Sequence, residues 1–304
     1  MANFLSLTFI FQGGNLNYGE GVATINALKR LSFKGKTYSY ISRQALRYDI
    51  VRILNEEFKM PLTPVGSDGK VVQFEAKATI KDYPEIDLFG YMKTSGQGSR
   101  GNIRKAIGRL SDAISLEPWN NDMDFGNNMG LASRGQDLDN MIFQTEIHKS
   151  FYTYTLTLEL DKVGIDGDIH LSGVEKKKRV NMLLDAIKIL YRDIKGRRED
   201  LSPIFAIGGI YNSGNPFFYN KIALSFGHNT IKIKPEPINE TLGKTYPVKN
   251  GENIEYKKVS DQTYLGVTAG IFSNIDEIKV KDEYKFSIEN FFGNIKDNIG
   301  AIYR

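Results

Sequence analysis

The chain has 304 residues, 41% of them apolar and 25% charged, with a formal net charge of +4. This is the composition of a soluble globular protein, long enough for one large domain or two ordinary ones. It has no cysteine, which excludes disulfides, thiol catalysis and thiolate-bound zinc or iron–sulfur centres.

Residues 4–11 (FLSLTFIF) predict a buried strand, broken by Gly13, Gly14 and Asn15 into a loop. The run is too short for a signal-peptide core with its cleavage site, and no other run approaches a bilayer span. A cytoplasmic location and no membrane partner are therefore expected. Residues 42–59 predict a helix, with Ser42 as N-cap and Leu46, Ile50, Ile53, Leu54 and Phe58 at helical spacing. Residues 71–79 predict a weaker strand. In 151–160, Tyr152, Tyr154, Leu156 and Leu158 alternate with threonines, so a strand with one buried face is expected. Ser172 and Glu175 form a capping box before a helix whose apolar stripe runs from Val180 to Tyr191 and Ile194. Residues 203–211 read as a buried strand.

The order is strand–helix–strand, an insertion at about 80–149, then strand–helix–strand. Two such units give an α+β, ferredoxin-like sheet of the kind used by RNA-recognition (RRM) domains. Further strands are expected at 221–226, 230–234 and 263–272. A final amphipathic helix carries Ile288, Phe291, Phe292, Ile295, Ile299 and Ile302 on one face.

Charge is unevenly spread. Residues 29–52 hold seven basic side chains, including Lys29 and Arg30, against one acid. Residues 93–109 hold five and no acid, and residues 176–198 hold nine against two. Residues 111–146 carry seven acids against Arg134. Basic segments separated by acidic ones suit a polyanion track on part of the surface, or solvated helix faces.

The start of the first helix is the most informative place. A helix N-terminus offers unpaired N–H groups and a positive dipole end. Arg43 and Arg47 lie one turn apart and add charge-assisted contacts to phosphate, while Gln44 bonds a sugar or base edge. Arginines in a first turn also oppose the dipole, which favours an external anion. Gly96, Gly98 and Gly101 match a dinucleotide loop, but no good strand precedes them. A loop carrying Arg100, Arg104 and Arg109 to phosphate is the better reading. Gly208 and Gly209 remove two side chains from an apolar strand, so something approaches that backbone: helix packing explains it as well as RNA. Trp119, Phe125 and Phe143 are candidate base-stacking groups. The pairs Asp122/Asp124, Asp137/Asp139 and Asp166/Asp168 are turns or Mg²⁺ ligands; for Asp166/Asp168 a turn is expected.

Five segments carry a family resemblance: 15–21 (NLNYGEG), 40–50 (YISRQALRYDI), 87–92 (DLFGYM), 146–154 (EIHKSFYTY) and 196–211 (GRREDLSPIFAIGGIY). Through them the chain resembles the DevR-type backbone subunit of type I-B CRISPR Cascade, in the superfamily of repeat-associated mysterious proteins (RAMP). The resemblance implies a hand-like subunit. An RRM-like palm comprises 1–79 and 150–213, and a basic, finger-like insertion comprises 80–110. A thumb-like loop at 111–149 and a C-terminal extension at 214–304, packed on the palm, complete it. Copies stack in a filament along CRISPR RNA (crRNA), with other Cascade subunits, and the guide pairs with target DNA. Ser42, Arg43, Gln44 and Arg47 match the guide-contacting helix start. Where the family often has a further basic residue, this chain has Tyr48 and Asp49, so Arg52 is expected to compensate. Met129, Arg134 and Phe143 are candidate thumb contacts by position, and Asn17, Lys29 and Arg30 are further candidates.

The resemblance implies no catalysis, no cofactor and no metal. The alternative is a metal-dependent RNA-cleaving RAMP subunit using a thumb-loop aspartate, Asp122, Asp124 or Asp137. A repeat-processing ribonuclease with His148 as base is the third possibility, with a structural role expected for His148.

Overall fold

The computed structural model describes residues 3–19, 21, 25–68, 71–93, 102–136 and 138–304. Its spine is the strand Phe4–Gly14, rich in the aromatic and β-branched residues that suit a pleated surface. It pairs antiparallel along its whole length with Lys149–Glu159, from Phe4 opposite Glu159 to Gly14 opposite Lys149. Phe205–Tyr211 lies antiparallel on its other side. Beyond Lys149–Glu159 come two short strands, Gly108–Leu110 and Ala113–Ser115, both antiparallel to it. Between Leu110↔Leu156 and Ile114↔Thr153 the short side has one residue more than its partner, so the edge carries a β-bulge.

The described helices are α1 Arg43–Glu56, α2 Pro84–Phe89, α3 Met129–Ala132, α4 Gly173–Lys188, α5 Pro235–Gly243 and α6 Ile288–Ile302. Chain order is strand 4–14, α1, bulged strand, strand 149–159, α4, strand 205–211. Their spatial order is fourth, first, third, second, which is the expected ferredoxin-like connectivity. The predicted strand at 71–79 is not the second strand of this sheet. Val71–Phe74 pairs with Val65–Asp68 in a separate hairpin, and the second strand is the bulged pair at 108–115. The stretch between α1 and that strand is therefore 57–107.

α1, α4 and α6 cover one face of the sheet. Leu46, Ile50, Leu183, Ile187, Phe292 and Ile295 meet Phe9, Tyr154, Leu156 and Leu158 there. Each such side chain, fully buried, stabilises the fold by about 1.5–3 kcal/mol. On the second face the C-terminal region folds over part of the sheet, burying Ile10, Phe151, Phe205 and Ile207 against Phe218, Ile238, Leu242 and Leu265. Even the threonine row is partly covered: Thr8 and Thr155 are buried and share a hydrogen bond of 2.8 Å.

Two further expectations are corrected. Tyr191 and Ile194 do not continue α4, which ends at Lys188; they belong to a hairpin formed by Tyr191–Ile194 and Arg197–Asp200. Gly208 and Gly209 are not RNA-facing. A Cβ on Gly208 (φ 142°) would lie 2.0 Å from the Ser6 carbonyl oxygen, and one on Gly209 would lie 1.9 Å from that of Gln262. The chain's own backbone fills that space.

Candidate nucleic-acid interface

Ser42 caps α1 with extended backbone, and its Oγ accepts the Ala45 N–H at 3.4 Å. Asn17 donates to the same oxygen at 3.5 Å, which ties the 15–19 loop to the helix start. Arg43 and Gln44 are exposed, while Arg47 is half-buried. The Arg47 guanidinium lies 3.6 Å from Glu85 and over the Phe89 ring. Among the described residues the Arg43 guanidinium has no acidic partner within ion-pair distance. The open helix N-terminus expected from sequence is not fully open. The bulged edge turns Asp112 toward it, and this carboxylate accepts the Arg43 backbone N–H at 2.7 Å. The arginine side chains, more than the helix dipole, are left to meet an anion here.

The 15–19 loop and the segment around His148 form one unit. Asn15 donates its N–H to the His148 carbonyl at 3.1 Å and accepts the His148 N–H on its side chain. Lys29 bonds the Asn17 carbonyl through its backbone and is half-buried. Arg30 is less available than expected. It stacks 4.1 Å over Trp119 and pairs with Glu146 at 3.3 Å. Glu146 also accepts the Leu28 N–H, and Trp119 donates to the Ile147 carbonyl, so Trp119 is a wall under Arg30, not a free stacking ring. His148 is buried. Its Nδ1 shares a 2.7 Å hydrogen bond with Ser39, which shares another with Tyr152 at 2.8 Å. Burial holds the His148 imidazole below its usual range and pushes the Tyr152 hydroxyl up to about 12. A buried, neutral imidazole tied to Ser39 fits the expected structural role.

The segment expected as a thumb-like loop contains a hairpin of Asp122–Asn127 and Ile142–Ile147, with Ile25–Asn26 added in parallel. It displays Met129, Arg134, Phe125 and Phe143 to solvent, with Phe143 lying over Gly126 where a Cβ would clash. Asp122, Asp124 and Asp139 are exposed there. Asp137 lies outside the described residues. Among those described, no three His, Asp or Glu side chains are grouped as metal ligands. Asp166 and Asp168 flank Gly167 (φ 55°) in a tight hairpin turn, as expected.

Other expected contacts are not brought to this surface. Arg100 and the glycine motif at 96–101 lie outside the described residues. Arg104 is turned inward, with 8% of its side chain exposed. It pairs with Asp87 at 2.7 Å and donates to the carbonyls of Ile165, Lys162 and Asp87. Arg109 is taken up by Glu159, with which it pairs at 2.6 Å. Arg52 does not compensate for Asp49. It is held by Glu56 at 2.8 Å and the Tyr191 carbonyl at 2.9 Å, while Asp49 pairs with Arg192 at 2.6 Å. Sequence reasoning missed the Tyr191–Asp200 hairpin as a neighbour of this surface. The Lys195–Gly196 pair was its turn signal.

The described residues reach this geometry on a framework shared with known proteins. A family profile described as "CRISPR-associated negative auto-regulator DevR/Csa2" matches residues 5–218. The chain is 25% identical over 159 residues to the "CRISPR-associated protein Cas7/Cst2/DevR" of Myxococcus xanthus (strain DK1622). That match covers 47% of this chain and 52% of the relative, so it spans about half the relative's length. Among solved structures, chains of a "CRISPR RNA-guided surveillance complex, pre-nicking" and a "CRISPR RNA-guided surveillance complex" share the fold. Their TM-scores are 0.56 and 0.55 at 10% identity, over 98% of this chain and 99% of each of theirs.

Proposed function

This chain belongs to the CRISPR-associated DevR/Csa2 family, and from that membership we propose that it is a guide-RNA-holding backbone subunit of a type I-B Cascade. Copies line up along the crRNA with other Cascade subunits and present it for pairing with target DNA. The observation that carries this reading is the start of α1. Ser42, Arg43, Gln44 and Arg47 stand beside Asn17 and Lys29 at the end of the sheet from which the thumb projects. Contacts of this kind go to phosphate and sugar, and so suit a guide of any sequence. The subunit itself performs no catalysis, and cutting falls to another subunit. No described helix is long and apolar enough to cross a membrane, in keeping with a cytoplasmic ribonucleoprotein.

The test is what accompanies the protein. It is expressed with its native neighbours and a CRISPR array, and the bound nucleic acid is extracted and sized. Uncut RNA of uniform length, carrying spacer sequence and several protein copies per strand, is expected. RNA-free protein would overturn the reading. Cutting at regular intervals only with Mg²⁺, abolished by Asp122→Ala or Asp124→Ala, would replace it with the nuclease alternative.

A further inference from the structure

The hairpin of Tyr191–Ile194 and Arg197–Asp200 turns through Lys195 (φ 47°) and Gly196 (φ 76°). Two left-handed residues in succession make a type I′ turn, whose preferred pair is Asn-Gly. Lysine is uncommon at such a position, since its Cβ crowds the backbone there.

The hairpin is clamped along α1. Arg52 holds the Tyr191 carbonyl from the second half of the helix, and Asp49 holds Arg192 at 2.6 Å nearer the start. Arg192 also donates to the Leu16 carbonyl at 2.7 Å, and Glu199 accepts the Gly14 N–H at 3.2 Å. The hairpin thus runs back toward the N-terminal end of α1, and its tip meets the 16–19 loop. There the Lys195 ammonium sits 3.8 Å from the centre of the Tyr18 ring, and the Tyr18 hydroxyl is tethered to the Glu146 carbonyl at 3.2 Å. Asn17, next to Tyr18, touches Ser42. The loop therefore lies between two cationic banks, Arg43 and Arg47 on one side and Lys195 and Arg197 on the other.

Lys195 has no carboxylate within ion-pair distance among the described residues. Among the described residues Arg197 pairs only with Glu199, at 3.7 Å, with 44% of its side chain exposed. Partial burial and the neighbouring Arg197 charge both hold the Lys195 ammonium below its usual range. An exposed cation resting on a ring face, beside a second cation and with no acid in ion-pair range among the described residues, is arranged for an anion from outside.

We propose that the tip of the 191–200 hairpin is a second phosphate site, where Lys195, oriented by Tyr18, and Arg197 grip the ribose–phosphate backbone of the strand held at α1. This rests on the guide-RNA reading above. The test uses the full chain and a labelled single-stranded RNA of arbitrary sequence, with affinity measured across salt concentrations. Lys195→Asn with Arg197→Gln removes both charges and leaves an Asn-Gly turn, so the hairpin is kept. Each lost phosphate contact flattens the log–log slope by about 0.7, so this variant should lose about 1.4 with its melting midpoint unchanged. Lys195→Arg should keep the parent slope. If Arg43→Ala/Arg47→Ala flattens the slope and the hairpin variant does not, the hairpin site is wrong and the guide-RNA reading stands. If the parent binds no RNA, both fall.

Discussion

Two arginine-bearing stretches look alike in the sequence and end in opposite places. Residues 29–52 and 93–109 are both basic and nearly free of acids. In the first, Arg43 points to solvent at a helix start, with Arg47 beside it. In the second, Arg104 is drawn inside, where it meets Arg179 on one fully buried carboxylate. Asp87 accepts from Arg104 at 2.7 Å, from Arg179 at 3.0 Å and from the Gly164 N–H at 3.0 and 3.1 Å. Arg179 places its remaining donors on Glu175 and the carbonyls of Ile80 and Lys81. An unpaired buried cation costs several kcal/mol, so an arginine goes inside only where an acid and enough acceptors wait for it. The deciding residue sits 17 and 92 positions from the two arginines. Local charge density says nothing of it.

The largest effect that tests this contrast is Asp87→Ala. It leaves two guanidinium groups buried without their shared acid, and should cost about 3–5 kcal/mol in urea unfolding. A loss under about 1 kcal/mol would mean that the arginines relax to solvent and that the two stretches are not different in kind. Next is Gly208→Ala, which forces a Cβ onto the Ser6 carbonyl and should cost about 2–3 kcal/mol. The RNA affinity of the molecules that remain folded should not change; a specific loss of affinity would restore Gly208 as a contact. Arg43→Ala/Arg47→Ala should do the reverse, leaving stability within about 0.5 kcal/mol but flattening the salt slope by about 1.4. An unchanged slope would remove α1 from the interface.

The smallest effect concerns His148, whose imidazole is held below its usual range by burial. Its unfolded-state value is about 6.5. Above that pH both states are neutral and its contribution is complete. As pH falls from there toward the lower folded value, only the unfolded chain gains the proton, and stability declines. The melting-temperature advantage over His148→Asn should therefore shrink between pH 7.5 and 5.5. A constant gap would show that the ring titrates normally in the fold.

What was legible in the sequence is what has a period or a cap. The alternation from Tyr152 to Leu158, the Ser42 and Ser172 caps and the Phe291–Ile299 face all stand where expected. The second strand of the sheet was not legible, since it is two three-residue pieces around a bulge, too short to show alternation. α2 hid in a stretch read as a poor strand, although Pro84 at its start and Gly90 (φ 72°) at its end were signals. The candidate site was half legible. The helix start could be seen, but the Asp112 acceptor, the Glu146–Arg30–Trp119 stack and the Lys195 contact with Tyr18 join residues more than sixty positions apart. No local rule reaches that far.

The register of the spine also bears on how the chain is made. Phe4–Gly14 leaves the ribosome well before both of its neighbours, Lys149–Glu159 and Phe205–Tyr211. At about 5–20 residues per second, the wait for the first partner is roughly 7–30 s. Throughout that interval an apolar strand with two unpaired edges is exposed to other nascent chains and to chaperones. Arrested chains ending before residue 149 should therefore be bound by chaperones, and chains extending well past 211 should be released.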